Sequence, residues 1–195
     1  MNIQLQEDLR DALQEISNIS MGAAGETLAA FTDTFVELSI PKIRVIDSTQ
    51  LTRSLSELND AETMTVLAQS FYLDDTECYA LVAVTEQSVE DVVAEGADNT
   101  DEELVRFGHA ITDVCLERFA DLVKLGLSTS SVYVVERNTY IKTFAFNEIH
   151  NWSEIISVEI NYHLENHRFN CDLVLLFPSE FYEPLIDSLE RLLAQ

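Results

Sequence analysis

The sequence predicts an α+β fold, an antiparallel sheet carrying two long helices, built by internal duplication of an αβ unit. Three observations point there. Two long stretches, one near the start and one past the middle, place apolar residues at intervals of three and four, the mark of amphipathic helices. Each is followed by two β-rich runs joined by a short polar turn, which read as hairpins and therefore as antiparallel sheet. The order helix, strand, short helix, hairpin, helix occurs twice, in about residues 1–95 and 100–195. The chain of 195 residues thus reads as a single domain made of two pseudo-symmetric halves.

The first helix is expected over residues 4–31. Leu9, Ala12, Leu13, Ile16, Ala23, Ala24, Thr27 and Leu28 form its apolar stripe. Asp11, Glu15, Asn18, Gly22 and Gly25 share a second face, because residues three and four apart are neighbours on a helix. Glycine inside a helix costs about 1 kcal/mol relative to alanine. Two on one ridge mark a place where something comes close. Read alone, a solvated face on a helix packed against a sheet accounts for the ridge as well.

Residues 35–46 read as a strand in which Val36, Leu38 and Ile40 alternate before Pro41, and Ile43 and Val45 after it. Proline in a strand belongs at an edge or a bulge, and the one-residue shift in alternation fits a bulge. Asp47-Ser48 resembles an N-cap for a short helix over 50–58, and Asn59-Asp60 makes a turn. Strands over 63–72 and 78–84 form a hairpin around the acidic turn 74–77. A short helix over 87–94 and a turn over 96–99 close the first half. Thr100-Asp-Glu-Glu resembles a capping box that opens a helix running to about residue 125, stopped by Gly126. A strand over 131–136, a weak short helix over 144–152, a hairpin of 155–163 with 170–177 around Glu165-Asn166-His167, and a helix over 179–193 complete the chain. Cys78 and Cys171 fall in equivalent hairpin strands.

Charge narrows the function. There are 35 acidic and 11 basic residues, a formal net charge of −24. Nucleic acid needs a basic face, and an anionic membrane surface would repel this chain. Neither is expected as a partner. Three scattered cysteines, Cys78, Cys115 and Cys171, without a Cys-x-x-Cys pair, read as reduced core thiols rather than a disulfide framework or zinc site. No signal-like segment and no membrane-length apolar run occurs, so a cytoplasmic location is expected. No phosphate loop, nucleophile elbow or metal-ligand cluster is present. His163 and His167 share a hairpin without a third ligand, and His150 carries no signal.

The spacing Asp11-x3-Glu15-x2-Asn18, followed at a distance by Pro41, resembles the signature of the CheC/CheX/FliY family of chemotaxis phosphatases. The flanking Glu-Ile-Ser-Asn-Ile-Ser-Met-Gly-Ala-Ala is similar to the family's Glu-Ile-Gly-Asn-Ile-Gly-x-Gly-x-Ala, with Ser17 and Ser20 in place of glycines. The resemblance covers nearly the whole chain and implies the same duplicated αβ architecture. It also implies a substrate, the aspartyl phosphate of a CheY-type response regulator. On that reading Asn18 positions the attacking water, donating and accepting at once. Glu15 pairs with the regulator's active-site lysine, Asp11 is a rim contact, and Gly22 and Gly25 leave room for the regulator's loops. Pro41 is structural. The protein needs no cofactor of its own, because the regulator supplies Mg²⁺. On the second long helix the motif positions hold Glu102, Arg106 and His109, so one live site and one degenerate site are expected. His109 reads as a helix-surface histidine rather than a base or phosphate acceptor. Two other readings stay open, a non-catalytic module that binds a regulator or another chemotaxis protein, and a structural domain that associates through its sheet edges. A homodimer is compatible with each.

Overall fold

The computed structural model describes residues 5–58, 63–85, 88–89, 99–165 and 169–194. Helix α1 spans Glu7–Thr32, followed by the short strands β1 (Val36–Leu38) and β2 (Lys42–Ile46) and by helix α2 (Leu51–Leu58). Strands β3 (Thr63–Leu73) and β4 (Thr76–Thr85) form a hairpin. The second half holds α3 (Thr100–Val123), β5 (Leu127–Thr129), β6 (Tyr133–Tyr140), the hairpin β7 (Ile155–Leu164) and β8 (Asn170–Pro178), and α4 (Tyr182–Leu193). The fold is α+β, as its alternation of amphipathic helices and hairpins predicts.

All pairings in the eight-stranded sheet are antiparallel, in the order β1-β7-β8-β4-β3-β5, with β2 also on β7 and β6 also on β3. Each half therefore lends its edge strands to the hairpin of the other. Exchanging the halves reverses the order and leaves it unchanged. One constant spacing relates many positions. Both long helices end in a left-handed residue, Asp33 and Lys124, whose N–H returns to Ala29 and Ala120 respectively. Phe71 and Tyr162 keep that spacing, and their cross-strand partners, Cys78 and Cys171, depart from it by two residues.

The central strands are buried on both faces, which is why they read as unbroken apolar runs. Leu13, Met21, Phe107, Phe119 and Leu185 from the helices cover one face, against Cys78, Ala80 and Val82. Leu51, Leu55, Phe144, Phe146 and Ile149 cover the other, against Tyr79, Leu81 and Ala83. Three apolar-stripe positions on α1, Ala12, Ala23 and Thr27, are only half-buried, while Ser17, Ser20 and Met21 are fully buried. The two serine hydroxyls donate to the carbonyls of Leu13 and Ile16, four residues back, so no polar group is stranded.

Several expectations need correction. The long strand over 35–46 is two strands on one partner. Ser39 pairs with Asn161 and Lys42 with Glu159, so Ile40 and Pro41 together oppose Ile160, the count of a β-bulge. The cap of α3 is Asn99, whose side chain accepts from the N–H groups of Asp101 and Glu102, one residue before the expected Thr100 box. Glu103 instead pairs with Arg106. α3 ends at Val123 on Lys124, not at Gly126. The first hairpin turn is tighter than 74–77, with Asp74 and Asp75 alone between the strands. β5 was not expected, and the stretch over 144–152 holds a 3₁₀ turn, Asn147–Ile149, rather than a helix. The closing helix begins as a 3₁₀ turn, Ser179–Phe181. The turn at 59–60, most of the helix over 87–94, most of the turn over 96–99, and Asn166 and His167 lie outside the described residues.

Candidate functional site

Three contacts fix α1 against β1, β2 and their partner β7. The Arg10 guanidinium donates to the Ile43 carbonyl at 2.7 Å. The buried Tyr162 hydroxyl of β7 donates to the Met21 carbonyl at 2.9 Å. Leu38 packs on Gly25, where a Cβ would lie 3.1 Å from the leucine side chain. The helix ridge and the bulge are thus held side by side. Between them Asp11, Gln14, Glu15, Asn18, Ile40 and Pro41 line a shallow groove of about 300 Å³.

The groove brings Pro41 beside Asp11, Glu15 and Asn18 of α1, from which it stands well apart along the chain. Asp11, Glu15 and Asn18 are exposed, and none of their side chains bonds to another described residue. Ile40 is 73% exposed and forms an apolar wall, while Pro41 is buried. Sequence reasoning passed over Gln14 and Ile40. The available signals were the spacing of Gln14 from Asp11 and Asn18, and the place of Ile40 beside the bulge proline. Gly22 lies one turn beyond the groove, and a Cβ there would meet nothing within 4 Å, so no packing within the chain requires it. Gly25 is different. It is buried under Leu38 and leaves no room for a partner, which corrects that part of the expectation.

Chemically, the groove offers two carboxylates, Asp11 and Glu15, and two carboxamides, Gln14 and Asn18, with no cation among its lining residues. The carboxylates suit a lysine or arginine brought by a partner. A carboxamide can hold a water by donating and accepting. The lining residues include no serine, cysteine or histidine that could serve as a nucleophile.

Two of the three matching positions on α3, Arg106 and His109, are engaged by the chain itself. Arg106 is ion-paired with Glu103. His109 Nε2 accepts from the N–H of Val132 at 3.1 Å, which leaves the proton on Nδ1 for Asp113, 3.0 Å away. Asp113 also accepts from Gln69 at 2.8 Å. Every hydrogen-bonding atom of the imidazole is used, so His109 is a structural bridge between α3 and the β5–β6 edge. A larger groove of about 470 Å³ on that side is lined by Asp113, Glu117 and Asp121 and offers no carboxamide.

No family model matches the chain, and no curated protein matches it. Solved structures do. FliY of Thermotoga maritima is 14% identical, with a TM-score of 0.71 over 97% of this chain and 100% of that one. FliM of H. pylori, solved in complex with SpeE, is 8% identical, with a TM-score of 0.63 over 96% and 97%. A chemotaxis protein CheX from Desulfovibrio desulfuricans is 10% identical, with a TM-score of 0.54 over 83% and 99%. The chain has the fold that FliY, FliM and CheX share.

Proposed function

We propose that this protein dephosphorylates the aspartyl phosphate of a CheY-type response regulator, with the attacking water positioned by Asn18. The observation that carries the reading is the groove, in which Asp11, Glu15 and Asn18 of α1, bonded to no other described residue, face a bulge proline at the spacing of the CheC/CheX/FliY signature. An acyl phosphate is already reactive, and the regulator brings the Mg²⁺ and lysine that offset charge on the phosphoryl group. What remains is to hold a water in line. That is the role a glutamine plays in small GTPases, and a carboxamide on a rigid helix can perform it. Glu15, one turn before Asn18, pairs with the regulator's lysine, and Asp11 extends the contact at the rim. Gly22 gives the regulator's loops a smooth floor. The setting is a cytoplasmic signalling pathway of the chemotaxis type.

The test is release of phosphate from a phosphorylated CheY-type regulator. Asn18→Ala is expected to lower the rate by about a hundredfold while binding holds, since it removes an interaction made with the water and not with the partner. Glu15→Ala is expected to weaken both. Equal rates for wild type and Asn18→Ala would sink the proposal.

A second reading is favoured by the shared fold with FliM, which is seen bound to SpeE. On it the same groove binds a regulator or another chemotaxis protein without catalysis. It predicts a stable complex and no acceleration of phosphate loss by the wild type.

A further inference from the structure

Pro41 stands where the second half of the chain has Val132. The constant spacing that relates Asn18 to His109 relates these two as well, and both follow a serine that anchors a bulge. Ser39 donates its N–H to the Asn161 carbonyl and takes the Asn161 N–H on its hydroxyl, each at 3.0 Å. Ser130 makes the same two bonds with Ser70, at 2.9 and 3.1 Å. The strand leaves both serines alike, and at Val132 its N–H is aimed at the helix, where it is taken up by His109.

This comparison removes the simplest account of the proline. A bulge of the same count forms at Ser131 and Val132, opposite Gln69, with no proline in it. Pro41 is therefore not needed to make the bend. What it does change is chemical. Proline carries no N–H, so the strand N–H that His109 takes up in the second half has no counterpart in the first.

We propose that Pro41 is a positioning residue that keeps Asn18 available by withholding this N–H from the groove. A carboxamide oxygen that accepts from a backbone N–H, directly or through the water it holds, is no longer free to orient that water. The second half shows the outcome when the donor is present, a side chain tied into the fold. The inference rests on the phosphatase reading for its functional consequence, but not for its structural one.

The experiment compares wild type, Pro41→Ala, and a variant whose residue 41 is the α-hydroxy acid matching alanine. That last variant lacks the N–H and also lacks the proline ring. Phosphate release and affinity are measured with a phosphorylated CheY-type regulator. Pro41→Ala is expected to lose about tenfold in kcat with affinity unchanged, the loss of one well-placed hydrogen bond, and the ester variant to recover the wild-type rate. If both variants fall together, or neither falls, the proposal is wrong. If the wild type itself does not accelerate phosphate loss, the phosphatase reading fails, and amide exchange decides the structural claim. A residue 41 amide protected in Pro41→Ala and exposed in Asn18→Ala/Pro41→Ala supports it, and one unprotected in both overturns it.

Discussion

At the scale of single residues, what faces a glycine decides what the glycine is for. Gly22, Gly25 and Gly108 all interrupt long helices, but only the last two meet their own chain. At Gly108 a Cβ would lie 2.8 Å from Val132 Cγ1 and 3.1 Å from Leu67 Cδ1. Gly108→Ala is therefore expected to cost about 1–3 kcal/mol through overpacking. At Gly22 nothing stands within 4 Å. Gly22→Ala should raise stability by about 0.5–1 kcal/mol through helix propensity alone. Urea denaturation of the two variants checks both signs. If Gly22 is kept open for a partner, Gly22→Met folds normally and binds a regulator at least about tenfold more weakly, because a bulky side chain overfills a close contact. The ridge that carries Gly22 and Gly25 was legible in the sequence, since it depends only on helical spacing. The difference between them was not, because it depends on Leu38, a side chain of a different element.

At the scale of elements, the second face of the sheet is held by a buried charge. Glu159 on β7 is fully buried. Its carboxylate accepts from Ser54 of α2 at 2.7 Å and from Ser157 at 2.6 Å, and the Arg44 guanidinium of β2 lies 3.7 Å away. Three elements thus converge on one anion. Arg44→Met leaves that anion without its counter-charge and is expected to cost about 3 kcal/mol. Arg44→Met/Glu159→Leu, which removes both charges, is expected to recover most of the loss. Denaturant midpoints of the two variants and the wild type test this, and additive losses would contradict it. None of this was readable from the sequence. Helix α1, its ridge and the bulge at Pro41 were, because each rests on spacing within one segment. The pairing of β1 and β2 with β7 is set by an exchange between halves, and nothing local in Val36–Leu38 or Lys42–Ile46 says which hairpin they join. β5 was invisible for a related reason. It is three residues long, mostly exposed, and exists because β3 offers it an edge.

For the whole molecule, the interleaving of the halves puts the cysteines at the centre of one shared core, and this gives the fold a weakness at alkaline pH. All three thiols are free and buried. Burial pushes Cys115 up to about 12 from an ordinary value of 9.0, and carries Cys78 and Cys171 upward as well. Tyr79 is raised to about 12, first by desolvation and then by Glu77 and Glu148. A group whose ionisation is delayed by folding stabilises the fold fully only below its unfolded value. Above about pH 9 the unfolded chain releases thiol protons that the folded chain retains, so stability falls as pH rises towards 12. Each fully buried thiol removes up to about 1.4 kcal/mol per pH unit in that window. The urea midpoint is accordingly expected to drop between about pH 8 and about pH 10, and to drop less steeply in Cys115→Ala. Salt separates this from the other electrostatic burden of the molecule. A net charge of −24 repels itself across the surface, and screening should raise stability at about pH 8. Screening does not reach a thiol in the core, so added salt should leave the alkaline slope in place. If salt instead abolishes the slope, surface repulsion and not thiol burial governs the alkaline limit of the fold.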